Sequence, residues 1–177
     1  MPRNNETVKR PRLELSYHRP EWKTEYTNLV KEIKSFIPKY IQLVFMHVGS
    51  TAIRGLTARP IIDVAIGVLN PLDLFTVRDV MVARGFNFND ERSTIADLFI
   101  EKRGIGKQRF NIHIVEFEGK RWNEMFELTT FLQNDKEAAK KYAEFKTQLL
   151  FKKNIEYSEY EAKKAAYIKE LMRAKKN

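Results

Sequence analysis

A carboxylate in the middle of a strand-length apolar run is the feature that most restricts how this chain can fold. Asp63 sits inside Ile61 to Val68, and a second run of the same kind, Ile41 to Val48, ends in the pair Gly49-Ser50. Runs of this length bounded by turn residues read as buried strands. An aspartate inside such a strand is either a ligand for a metal or substrate or the partner of a nearby cation. With the helices that follow, the pattern reads as a small mixed sheet with helices packed in layers on it, and Asp63 lies on a strand adjacent to the one that ends in Gly49-Ser50.

The rest of the chain supplies those layers. Trp22, Tyr26, Leu29, Val30, Ile33 and Ile37 share one helical face, and Pro38 ends the segment. Asn70-Pro71-Leu72-Asp73 is a helix start, with Asn70 as cap and Pro71 in the first turn, and the helix runs to Arg84 with Gly85 closing it. Ile95 to Lys102 and Gln108 to Phe117 form an antiparallel pair around Gly104 to Lys107. After Gly119 the chain is helical. Trp122 to Leu132 is one helix. Asp135 caps a second that reaches about Phe151, and Ser158-Glu159-Tyr160-Glu161 is a capping box for a third. Strands first and helices last give an α+β class, with about four strands in a mixed sheet. Residues 1–14 read as a basic arm and 15–177 as a single domain, since 177 residues are too few for two.

Composition excludes several functions. The chain has no cysteine, which removes disulfides, thiolate metal sites and a cysteine nucleophile. That composition suits a cytoplasmic protein. The basic N-terminal segment lacks the apolar run of a signal peptide, and no stretch reaches the length of a membrane span. The net charge is +9, and residues 136–177 hold 12 Lys/Arg against 6 Asp/Glu, a net of +6. A basic helical face attracts phosphate-bearing partners, RNA among them; it is also what an ordinary solvated lysine-rich helix looks like. The aromatic residues on those helices, Tyr142, Phe145, Tyr160 and Tyr167, read as core.

The segment His47 to Ile66 carries the chemistry. Gly49 lets backbone approach an anion, and Ser50 and Thr51 offer hydroxyl and N–H groups to phosphate oxygens. Arg54 and Arg59 can neutralise phosphate, and Asp63 can hold Mg²⁺ against it. A Gly-Ser turn after a strand is also a common structural device, and Asp63 can equally be the salt-bridge partner of Arg59. His47 is either a ligand-orienting group or a core histidine. His113 shares a strand face with Asn111 and is a candidate proton-transfer residue.

The run His47-Val48-Gly49-Ser50 through Asp63 to Val68 resembles the signature of the GrpB family. Tyr17, Pro20 and Trp22 match that family's N-terminal pattern, Asn111 to Ile114 match part of its His-containing strand, and Tyr142/Lys146 and Tyr160/Lys164 resemble its C-terminal helices. The resemblance covers about residues 15–172. It implies a nucleotidyltransferase-like fold, a nucleotide or other phosphate-bearing ligand, and Mg²⁺ held by Asp63. Two departures weaken the catalytic expectation. Active nucleotidyltransferases carry a second acid two residues after the first, where this chain has Ala65, and a third acid on a neighbouring strand, where it has Asn111 and His113. Non-catalytic nucleotide binding, or RNA association through the C-terminal helices, is the alternative.

Overall fold

The computed structural model describes residues 15–104, 106, 108–151 and 155–175. The expected basic arm, residues 1–14, lies outside them. Helix α1 (Glu21–Phe36) is followed by β1 (Leu43–Val48), β2 (Ile61–Val68), α2 (Leu74–Ala83), β3 (Asn87–Phe88), β4 (Leu98–Arg103) and β5 (Arg109–Glu116). Three helices complete the chain: α3 (Lys120–Asn134), α4 (Lys136–Phe151) and α5 (Tyr157–Ala174). The strands form one mixed sheet in the order β1-β2-β5-β4-β3. β2 and β5 run parallel, and the other neighbours are antiparallel.

Side-chain alternation divides the sheet into two faces. Ile62, Val64, Ile66 and Val68 of β2 join Ile112 and Ile114 of β5 under α1 and α2, where Trp22, Ile33, Val77 and Met81 are fully buried. Each such side chain removed from water contributes about 1.5–3 kcal/mol. On the other face Val48, Ala65 and Val115 meet Trp122 and Met125 of α3. Gly67 makes that contact possible, because a Cβ there would stand 2.8 Å from the Trp122 ring. A third cluster ties Ile53 and Leu56, just after β1, to Tyr142 of α4 and Tyr167, Ile168 and Leu171 of α5. The helical C-terminal third is thereby folded over the end of the sheet where Gly49 and Asp63 lie.

Most expected elements are present, with differences at their ends that have physical causes. α1 stops at Phe36 because Ile37, preceding Pro38, takes an extended conformation. β1 begins at Leu43, after a turn closed by the Ile41 N–H on the Pro38 carbonyl. β4 begins at Leu98, since Ile95 is exposed and Asp97 belongs to a turn bridge with Thr94. The sheet has a fifth strand, the two-residue β3, too short to show a period. Asp135 caps α4 as expected, accepting from the Ala138 amide, whereas Asn70 accepts from the Leu72 amide to cap a 3-10 turn, Pro71–Asp73, that leads into α2. The capping box at Ser158 does not form: α5 already begins at Tyr157, so Ser158 lies within its first turn.

Candidate functional site

At the end of β1 the chain passes directly over Asp63. Val48 pairs with Asp63 across the β1–β2 ladder, and Gly49 then takes φ 71° and ψ −168°. A Cβ on Gly49 would lie 2.5 Å from Asp63 Oδ2, so glycine is required there for space as well as for its positive φ. The other carboxylate oxygen accepts from Asn111 Nδ2 at 2.8 Å, on the adjacent parallel strand.

Residues 50–52 form one 3-10 turn, and its first residue meets α4. Lys146 Nζ donates to Ser50 Oγ at 3.0 Å and to the Thr57 carbonyl at 2.7 Å. The Tyr142 hydroxyl hydrogen-bonds with the same serine side chain. Lys146 is 2% exposed. Burial pushes its ammonium down to about 7; the charges of Lys164 and Arg59 add to this, and Asp63 opposes it.

Arg59 completes the cluster from the start of β2. Its guanidinium lies 5.5 Å from the Tyr157 ring and 5.6 Å from the Tyr160 ring of α5. Its ion pair is with Glu161 of α5, Nη2 to Oε1 at 3.0 Å, and not with Asp63. That contact lies off the N–H direction, so Glu161 Oε1 is buried beside a charge but accepts no directed hydrogen bond. Glu161 Oε2 accepts from Lys164 at 2.6 Å. Burial disfavours the Arg59 charge, yet Glu161 and Tyr157 outweigh it, and the guanidinium stays protonated. Ser50, Arg59, Asp63, Lys146, Tyr160 and Lys164 line a cavity of about 30 Å³.

Four expected site residues, Gly49, Ser50, Arg59 and Asp63, meet here. Four others do not line the cavity. His47 pairs with Val64 and so belongs to the α1 face; its ring stacks on Tyr26 at 5.0 Å and its Nε2 lies 2.9 Å from Thr51 Oγ1. Burial pushes His47 down to about 4, with Asp63 opposing and His18 reinforcing the shift. Thr51, 2% exposed, thus spends its hydroxyl on His47. Arg54 is exposed on the loop before β2. His113 shares the Asp63 face but is engaged elsewhere: Nδ1 lies 2.9 and 3.0 Å from the two Asp97 oxygens, and Arg121 Nε donates to Asp97 at 2.7 Å. Burial raises Asp97, but His113 and Arg121 outweigh it and hold the carboxyl below its usual range.

Sequence reasoning missed Lys146 and Lys164 as cleft residues, together with Glu161, Asp97 and Arg121. One signal existed for Lys146. It stands four residues after Tyr142 and three before Leu149, on the apolar side of α4 that also carries Ala138 and Ala139. A lysine in the buried register of a helix needs a partner, and here it has two.

The donor set bears on Mg²⁺. Among the described residues there is no group of three His, Cys, Asp or Glu side chains that could hold a metal. Asp63 gives one carboxylate, with one oxygen already hydrogen-bonded and the cations Lys146 and Arg59 nearby. Such a set fits Mg²⁺ only when bound phosphates complete its shell.

The fold and this cluster define a class: a mixed α+β domain whose C-terminal helices close a basic cleft over a Gly-Ser turn and a strand aspartate. The sequence profile of the GrpB family, described as GrpB protein, matches residues 12–174, and the chain belongs to that family. It is similar to the glutamate-rich protein GrpB of Alkalihalophilus pseudofirmus, 25% identical over 161 residues that cover 88% of this chain and 91% of that protein. A UPF0157 protein of Deinococcus radiodurans is 25% identical over 126 residues, 71% of this chain and 64% of that one. The crystal structure of conserved protein GrpB from Enterococcus faecalis shares the fold, with a TM-score of 0.77 and 20% identity over 91% of this chain and 96% of the other. Among the described residues no helix is long and apolar enough to cross a membrane.

Proposed function

We propose that the cleft binds a small phosphate-bearing molecule, a nucleotide among the candidates, through Ser50, Arg59, Lys146 and Lys164. The observation that carries this reading is the buried Lys146, hydrogen-bonded to the serine of the Gly-Ser turn. Keeping an ammonium out of water costs stability, and an anion beside it recovers that cost. Arg59 and Lys164 line the same cavity, so three cations converge where a phosphate would sit, against Asp63. Nucleotidyl transfer is the catalytic form of this reading. It would need Mg²⁺ carried in on the ligand's phosphates, with Asp63 as the protein's carboxylate. A free nucleotide ligand and a chain without cysteine suit a cytoplasmic protein. The inward turn of Lys146 and Lys164 favours the cleft over an RNA-binding surface as the use of the basic helices.

Calorimetric titration with pyrophosphate and with ATP tests the reading. Ser50→Ala and Arg59→Ala each weaken binding by about 1–3 kcal/mol. Asp63→Asn separates the two forms. In EDTA it binds as well as the parent or better, because a phosphate-repelling charge is gone; with Mg²⁺ a metal-dependent transferase loses affinity. If none of the three changes alters binding of either probe, the cleft is not the site. A steep salt dependence of RNA binding would then move attention to the exposed lysines.

A further inference from the structure

The cavity beside Lys146 is small. Its volume of about 30 Å³ holds about two water molecules, less than a phosphate group with its four oxygens needs. Arg59 and Lys164 keep 17% and 22% exposure, so an anion can approach them, but to settle among all three cations it needs space that a neighbouring side chain now fills. Tyr160 is 1% exposed and Lys146 2%, and both are locked in the packing between α4, α5 and the Gly-Ser turn. Glu161 is different. Its side chain is 31% exposed, so solvent is already on one side of it.

Glu161 also stands where a ligand's charge would act. One oxygen is 3.0 Å from Arg59, and the other accepts from Lys164 at 2.6 Å. A single carboxylate thereby occupies two of the three cleft cations. Its hold on Arg59 is incomplete, since the 3.0 Å contact is not a directed hydrogen bond. A tetrahedral anion has oxygens enough to meet both cations with directed donors and to reach Lys146 as well. If Glu161 stayed, the same anion would face two carboxylates, Asp63 and Glu161, across a low-dielectric pocket.

Resting on the reading of the cleft as a phosphate site, we propose that Glu161 is its built-in occupant, and that the ligand is an anion of the phosphate class that binds by displacing the Glu161 carboxylate from Arg59 and Lys164. Glu161 then sets the affinity threshold of the site. Weak or singly charged anions do not dislodge it, and a multiply charged phosphate end does.

The test is pyrophosphate titration by calorimetry of the full chain and three variants. Glu161→Gln keeps the shape and removes the charge, and binds pyrophosphate about tenfold tighter or more. Glu161→Ala gives a gain in the same direction and stands in for the first variant should that one fold poorly. Glu170→Gln makes the same change in net charge at an exposed position of α5 and leaves affinity unchanged. Chloride and acetate, singly charged, bind the Glu161→Gln variant more than the parent. Equal or weaker pyrophosphate binding by both Glu161 variants overturns the displacement while leaving the cleft reading in place. A gain in Glu170→Gln equal to that in Glu161→Gln also overturns it, because the effect is then one of net charge. Undetectable binding to the parent and to every variant overturns both readings.

Discussion

Lys146 and Ser50 are 96 residues apart in the chain, yet the lysine Nζ lies 3.0 Å from the serine Oγ. This contact joins the turn that follows the first strand, β1, to the second-last helix, α4: the Gly-Ser turn supplies an acceptor, and α4 supplies a buried charge to meet it. The ammonium is held down at about 7 chiefly by burial, so its charge is marginal at neutral pH.

That marginal charge predicts how anion affinity varies with pH. Sulfate is a suitable probe because it does not titrate between pH 6 and 9. It favours the ammonium form, so binding is strongest below pH 7 and weakens as the pH rises through the value of Lys146. The loss is on the order of 1–3 kcal/mol by pH 9, the worth of one charge-assisted contact. Lys146→Met binds sulfate weakly and with a flat profile over the same range. A parent profile as flat as the variant's would remove Lys146 from the site.

Gly49→Ala tests the close approach to Asp63. The new Cβ would lie 2.5 Å from Asp63 Oδ2 and 3.2 Å from its Cγ, at a backbone φ of 71°. Asp63 must move, and its hydrogen bond from Asn111 is lost or bent. Strain and steric displacement together cost about 1–3 kcal/mol, read as a lower urea midpoint at unchanged m-value. Unaltered stability would mean that the turn has room that the structure does not show.

His47 predicts an acid-sensitive fold. Its folded-state value is lowered from 6.5 to about 4, mainly by burial. Between those two values the unfolded chain binds a proton on this residue and the folded chain does not, so stability falls as the pH drops from about 6.5 to about 4. The full loss is about 3 kcal/mol, reached near pH 4. His47→Gln has no such group, and its stability declines less steeply, by about one proton, in urea titrations at pH 7, 6, 5 and 4. Parallel declines in parent and variant would show that His47 titrates alike in both states.

Periodicity made most of the fold legible. Ile61–Val68 reads as a strand because its residues are apolar on both faces, and both faces are covered, by α1 and α2 on one side and by α3 on the other. Asn70 and Asp135 act as caps because capping is local: donor and acceptor lie within one turn. The two-residue β3 had no period to detect. The capping box at Ser158 failed because the helix begins two residues earlier than that cap requires, at Tyr157, which puts Ser158 inside the first turn.

The site was half legible for the same reason. Gly49, Ser50, Arg59 and Asp63 are near one another in sequence, and one turn between two paired strands brings them together. Which face each residue took was decided by the register His47–Val64 and Val48–Asp63, which sends His47 under α1. The cations Lys146 and Lys164 and the competing Glu161 could be placed only by packing. The apolar sides of α4 and α5 meet Ile53 and Leu56, and that burial carries charged side chains from the far end of the chain onto the Gly-Ser turn. The sequence by itself determined the elements and the strand aspartate, because those follow from local pattern. The tertiary structure decided what surrounds the aspartate, because the charges that do so arrive from helices whose position depends on long-range hydrophobic contact.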